Sequence, residues 1–228
     1  MKDKMTKFAV IGMGRFGSAL AVELSATPGC EVLAIDEDEG RINAVKSHVT
    51  YSATMDATDE TAMKAIGIGN YDAALICVGG EMEASILISL ICKEAGVKYI
   101  ASKAKNAKHK AVLEKLGLSL VIIPEYEMGR KLAATLANPS VNDVVSLGHD
   151  YSLMEIETPH EWAGKTLMEL NLRREFNVNL LVIKRHDGMV FYMTGDTMLN
   201  MGDVMVAGGL TADLTKLTQR VNKLKEKE

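Results

Sequence analysis

The chain has 228 residues, 26 basic against 30 acidic side chains, and a formal net charge of -4, a length that suits one full-sized domain plus a small one, or one compact α/β domain. At 47% hydrophobic and 25% charged, with only 4 prolines, it is neither disordered nor low in complexity, and its charge does not argue for nucleic-acid binding. The 3 cysteines, Cys30, Cys77 and Cys92, sit in apolar stretches without metal-ligand spacing, as expected of buried thiols in a reducing cytosol.

The leading residues Met1-Lys2-Asp3-Lys4-Met5 run into an apolar segment far shorter than a signal-peptide core. No stretch reaches the roughly 18 apolar residues that a membrane span needs, so a soluble protein is expected, one that can still dock onto a membrane protein. Residues 7–124 alternate short apolar runs with helical periodicity. The runs are Phe8-Ala9-Val10-Ile11, Val32-Leu33-Ala34-Ile35, Ala74-Leu75-Ile76-Cys77-Val78, Tyr99-Ile100 and Leu120-Val121-Ile122-Ile123, with a weaker strand at 50–53. Helix-like stretches cover 15–26, 38–47, 59–66, 83–95 and 106–116. Unalternating apolar strands separated by helices predict a parallel sheet covered on both faces, a Rossmann-like doubly wound α/β fold.

A further helix is expected over 125–137, stopped by Asn138-Pro139-Ser140. The domain boundary is placed there, giving a nucleotide-binding domain at 1–138 and a smaller α+β domain at 139–228. In the second part, strands are expected at 143–147 and 151–157, then a short helix at 167–175. A hairpin at 179–184 and 189–193 turns about His186-Asp187-Gly188. A last strand, Val204-Met205-Val206-Ala207, precedes an amphipathic helix at 213–225.

Gly12-Met13-Gly14-Arg15-Phe16-Gly17 follows the first strand and opens the first helix. In such a turn the first glycine permits the tight bend, the second lets a pyrophosphate approach the backbone, and the third lets helix and sheet lie close. The helix N-terminus offers unpaired N–H groups to phosphates. Asp36 at the end of the second strand is placed to accept from ribose hydroxyls; the alternative is a plain strand–helix joint with Asp36 capping the next helix. Glu37, Asp38 and Glu39 would repel a 2′-phosphate, which argues against NADP. Arg15 occupies a position where folding needs no arginine, so a phosphate contact, from this chain or a neighbour, is expected.

Ligands of open α/β sheets lie at the carboxyl ends of strands. Those ends are Asp56, Val78-Gly79-Gly80, Lys103 and Pro124-Glu125. Asp56 could accept from an adenine amino group or cap the helix near Asp59. Glu125 would sit poorly beside phosphates unless a hard cation such as Mg²⁺ or Ca²⁺ bridged them; it could equally be a helix N-terminal acid. His48, His109, His149, His160 and His186 are scattered, none expected at a strand tip of the first domain, so no acid–base constellation is evident. The helix at 83–95 is apolar on more than one face, so it lies deep in the sheet cover or forms a subunit interface; with the mixed helix at 125–137 nearby, a homodimer or larger ring is expected.

The segment from Phe8 to Gly17, then Asp36, Asp56-Ala57-Thr58, Lys103-Ala104-Lys105-Asn106, Ile123-Pro124-Glu125 and Met128-Gly129 resemble the RCK (regulator of K⁺ conductance) domain family. Within it, the likeness is to the KtrA-like cytosolic regulatory subunits of Ktr/Trk-type bacterial potassium uptake systems. Gly164-Lys165-Thr166-Leu167-Met168-Glu169-Leu170-Asn171-Leu172-Arg173 is similar to an opening segment of that family's C-terminal lobe. The resemblance implies dimers assembled as an octameric ring beneath an integral-membrane potassium-translocating subunit and a cytoplasmic location on the inner membrane face; the missing acid–base constellation and the small second domain lead to the expectation of no enzymatic activity. It implies ATP, ADP or NAD(H) in the crevice. With the turn and strand tips, the expected contacts are Gly12, Met13, Gly14, Arg15, Phe16, Gly17, Asp36, Glu37, Asp56, Ala57, Val78, Gly79, Lys103 and Glu125. Arg15 would reach a neighbour's terminal phosphate, and Glu125 would help hold Mg²⁺ or Ca²⁺. Cyclic di-AMP in the C-terminal lobe would involve Arg173 and His186, although Tyr192-Met193-Thr194-Gly195 replaces a proline-bearing segment there. The function expected is an ATP-versus-ADP sensor that gates transport. The rivals are a NAD-dependent oxidoreductase and a redox-sensing repressor, the latter without a visible DNA-binding helix-turn-helix or basic half.

Overall fold

The computed structural model describes residues 6–80, 82–148 and 150–226. The leading segment Met1 to Met5 and His149 lie outside the described residues. The chain divides into two compact units, Met1–Glu125 and Tyr126–Glu228.

The first unit is a parallel sheet of β1 (Thr6–Ile11), β2 (Cys30–Asp36), β3 (Tyr51–Thr54), β4 (Ala73–Ile76), β5 (Tyr99–Lys103) and β6 (Leu120–Ile122). The order is β3-β2-β1-β4-β5-β6, the doubly wound arrangement expected. Helices α1 (Arg15–Ala26), α2 (Glu39–Val45), α3 (Glu60–Ala65), α4 (Met82–Glu94) and α5 (Ala107–Lys115) connect the strands. Successive strand residues enter different cores: Ala9 and Ile11 pack with Ile88 and Ile91, whereas Val10 packs with Ala21 and Ile42. Burial on both faces is why these strands read as continuous apolar runs. The chain winds outward from β1 to β3 and then returns to β4, so the β2, β1 and β4 tips surround a switch-point crevice.

Helix α6 (Pro124–Leu136) matches the helix expected from sequence, but all except its first two residues group with the second unit. None of its residues is buried in the single chain. The second unit is an antiparallel sheet, β10-β9-β11-β8-β7, made by β7 (Val141–Gly148), β8 (Tyr151–Glu157), β9 (Asn179–Arg185), β10 (Gly188–Val190) and β11 (Val204–Leu210). The closing α9 (Thr211–Lys225) buries Leu214, Leu217, Val221 and Leu224. The single helix expected at 167–175 is instead α7 (Leu167–Leu170) and α8 (Leu172–Phe176). The break is at Asn171, whose φ of 43° is left-handed, a conformation asparagine tolerates better than most residues.

Candidate functional site

The chain leaves β1 through Gly12, with φ +96°, and a Cβ there would lie 2.8 Å from the Val78 nitrogen. Both the backbone conformation and the approach of the β4 exit therefore exclude a side chain. At Gly17 a Cβ would fall 1.9 Å from the Gly12 carbonyl oxygen, so α1 can rest against the turn only with glycine there. Gly14 differs: nothing lies within 4 Å of a Cβ built on it. Its missing side chain relieves no clash and leaves open space before α1. Gly14 is also the N-cap and provides no side-chain cap, so first-turn N–H groups remain for an anion.

β2 delivers Asp36 to this turn in a buried position, 6% exposed. Its Oδ2 accepts from the Met13 N–H at 2.6 Å and its Oδ1 from the Asp38 N–H at 2.9 Å. Each oxygen retains acceptor capacity for a ribose hydroxyl. The helix-capping alternative for Asp36 is set aside, because Asp38 caps α2 by accepting from the Arg41 N–H at 3.1 Å. The corresponding alternative for Asp56 also falls to a neighbour: Asp59 caps α3. Asp56 Oδ1 instead accepts from the Thr58 N–H at 2.8 Å and the Thr58 hydroxyl at 2.7 Å. These bonds lower its pKa.

The tips enclose a cavity of about 440 Å³. Of the expected contacts, Gly12, Gly14, Asp36, Glu37, Asp56, Ala57, Val78 and Gly79 line it. Met13 contributes through its backbone, its side chain being in the core, and Phe16 packs against the same core. Sequence reasoning missed Arg41, Met55 and Thr58 on the wall. The Thr58 contribution was foreshadowed by its two-residue spacing from Asp56; Arg41 carried no signal beyond being a cation after four acids. Cys77 also lines the cavity, where burial pushes its thiol up to about 12, leaving it protonated and unreactive near neutrality.

Beside the cavity lies a charge cluster. Lys103 Nζ is 2.5 Å from Glu125 Oε1 and 3.7 Å from the position of a Cβ on Gly79. The hydrogen bond from Lys103 foremost, with the positive charges of Lys103 and Arg15, holds the Glu125 carboxyl below its usual range. The cation that Glu125 needed beside phosphates is thus already supplied by a lysine. Among the described residues no three His, Cys, Asp or Glu side chains group to hold a metal, so a cation at Glu125 would draw ligands from elsewhere.

One histidine does meet a strand tip, contrary to expectation. His109 is 2% exposed; its Nδ1 accepts from the Lys105 N–H at 3.1 Å, just past β5. That bond places the ring proton on Nε2, which donates to Ser85 Oγ of α4 at 2.8 Å. Ser85 in turn donates to the Met82 carbonyl at 2.9 Å. The ring braces two helices and does not line the cavity. Arg173 on α8 and His186 in the β9–β10 turn are both exposed, and no hydrogen bond or ion pair joins them among the described residues.

Fold and crevice together define a Rossmann-type nucleotide-binding module carrying a small antiparallel domain. Residues 8–124 match the TrkA-N domain and residues 153–222 the TrkA-C domain, and the chain belongs to this family, that of the RCK domains. The Ktr system potassium uptake protein C of Bacillus subtilis (strain 168) is 34% identical over 215 residues, covering 94% of this chain and 97% of that protein. The Ktr system potassium uptake protein A of Vibrio alginolyticus is 34% identical over 209 residues, covering 92% of this chain and 94% of that protein. Among solved structures, a GsuK channel superposes with a TM-score of 0.69 at 12% identity, over 97% of this chain and 40% of that chain. A GsuK channel bound to NAD gives 0.65 at 12% identity, over 95% of this chain and 39% of that chain. At such identity these two channels establish the fold alone.

Proposed function

We propose that the chain is a nucleotide-sensing regulatory subunit of a potassium uptake system. It acts from the cytoplasmic face on an integral-membrane potassium-translocating partner. Kinship with the Ktr proteins over nearly the full length of both chains supports the transport role. The observation that carries the sensing role is the turn at Gly12–Gly17 set against the buried Asp36 carboxylate, one suited to phosphates and the other to ribose. No helix among the described residues is long and apolar enough to cross a membrane, which accords with regulation through a partner.

A ligand moves a ring between two states only by binding them unequally. Arg15, Lys103 and Glu125 form the part of the site able to sense phosphate number. ATP, one phosphate longer than ADP, reaches them from this chain or a neighbouring one. A Mg²⁺ or Ca²⁺ ion at Glu125 competes there with Lys103. The apolar faces of α4 and α6 support assembly into dimers and an octameric ring. The rival reading, a NAD-dependent oxidoreductase, is disfavoured by the full-length kinship with Ktr potassium uptake proteins. A second ligand, cyclic di-AMP, is proposed at Arg173 of α8 and His186 in the turn that follows β9.

The test is calorimetric titration with ATP, ADP, NAD and NADH, each with and without Mg²⁺ or Ca²⁺, alongside solution scattering of the liganded forms. ATP and ADP should bind with different affinities and yield different ring dimensions. Equal affinities with one unchanged scattering profile would overturn the sensing mechanism, and steady hydride transfer to a small substrate would favour the oxidoreductase.

A further inference from the structure

We infer that Arg41 is a specificity-determining residue of the adenosine end of the crevice, laying its guanidinium plane against the purine. This rests on the nucleotide reading above and deepens it. Arg41 stands in the first turn of α2, and its N–H is tied to Asp38 Oδ1 at 3.1 Å. Side chains of a helix lean toward its N-terminus, which for α2 is the mouth of the crevice beside the β2 tip. Arg41 accordingly lines the cavity with Asp36, Met55 and Asp56.

The charges locate the guanidinium without consuming it. Its Nη1 lies 3.6 Å from Asp36 Oδ2 and its Nε 3.8 Å from Asp38 Oδ2. Both distances exceed those of hydrogen bonds, so the pairs steer the group rather than fix it. Asp36 does not depend on Arg41 for satisfaction, because each of its oxygens already accepts from a backbone N–H. When a ribose docks on Asp36 through its 2′- and 3′-hydroxyls, the base extends from C1′, one bond from C2′. The base therefore lies within reach of the guanidinium that the same carboxylate holds. Val78 and Gly79 bound the crevice at the β4 tip, and Arg41, 56% exposed, comes from the α2 side. A guanidinium stacks on an aromatic face through its planar, weakly hydrated surface. A flat cation selects for a flat base and is indifferent to how many phosphates follow.

The experiment is titration of AMP, ADP and ATP into wild type, Arg41→Ala, Arg41→Lys and Arg41→Gln, at low and high salt. Thermal melting of each variant confirms folding at this exposed position. Arg41→Ala should weaken all three nucleotides by a common factor of roughly three- to tenfold, little changed by salt, and Arg41→Lys should not restore affinity because it keeps charge without the plane. A loss that grows with phosphate number, full rescue by lysine, or unchanged AMP affinity in folded Arg41→Ala and Arg41→Gln would each overturn the inference. A gain in NADPH binding for wild type over Arg41→Ala, exceeding that for NADH, would also overturn it by assigning Arg41 to a 2′-phosphate. Wild type that binds no adenine nucleotide would instead refute the nucleotide reading itself, so the two failures are distinguishable.

Discussion

Asp56 illustrates how one carboxylate can read a base. Thr58 occupies one of its oxygens twice, holding the group ionised and therefore acceptor-only. The other oxygen can meet the exocyclic amino group of adenine but would oppose the carbonyl of guanine. Asp56→Asn, whose amide can donate, should weaken ATP by about tenfold, the scale of a charged hydrogen bond, while GTP holds or gains; competition titration of the two nucleotides reads the change. Lys103 supplies a second prediction. Lys103→Met leaves Glu125 without its lysine partner, so ATP binding should fall in the absence of divalent cations and recover with Mg²⁺, as calorimetry with and without the ion would register. The glycine turn and Asp36 were legible in sequence because a strand, a turn and an acid twenty residues on form a nearly local pattern. The Lys103–Glu125 pair was not, because each residue reads alone as an ordinary strand-tip or helix-start residue. Only the side-by-side placement of β5 and β6 joins them across 22 positions.

Gly14 and Gly17 separate binding from folding at the level of the β1–α1 joint. A methyl at Gly17 would press into the Gly12 carbonyl; Gly17→Ala should cost about 1–3 kcal/mol, seen as a lower Tm, and impair nucleotide binding with it. Gly14→Ala meets no protein atom, so it should melt near wild type and still lose affinity, because the methyl fills space that a phosphate would use. His109 makes the α4–α5 packing sensitive to pH. Burial lowers its pKa below the ordinary 6.5, so the unfolded chain takes up the proton first as pH falls. Stability from this brace is complete above 6.5 and drains as pH drops through the lower folded value. Melting from about pH 7.5 to about pH 5.5 should therefore show a declining Tm in wild type and a flatter profile in His109→Gln. Periodicity disclosed the elements because both faces of the sheet are buried. It could not disclose the division of 167–175 at Asn171, where one left-handed residue interrupts an otherwise continuous amphipathic pattern, nor the early end of β10 at Val190.

Across the whole molecule, two helices carry apolar surface that one chain leaves uncovered. On α4, Ser85, Ile88, Ser89, Ile91 and Cys92 are buried, while Met82, Ile86, Leu87 and Leu90 form an open, mostly apolar face with Glu83 beside them. On α6, Met128, Leu132 and Leu136 are 63%, 55% and 72% exposed, spaced so that they share a face. Isolated exposed apolar residues are ordinary, but contiguous faces on two helices are what symmetric self-association uses. If α6 carries such a contact, Leu132→Glu places an unpaired carboxylate in each copy of the interface. Because a symmetric contact presents each patch to its own equivalent, the two introduced charges would lie close and repel. Light scattering should then report a smaller species than wild type at the same concentration, with the Tm little changed because Leu132 belongs to no core cluster. Leu87→Glu tests α4 independently. If only one variant yields a smaller species than wild type, its helix carries the proposed dimer contact. If each releases a different intermediate, dimers form through one helix and rings through the other, and ATP-dependent scattering should survive only where the dimer does.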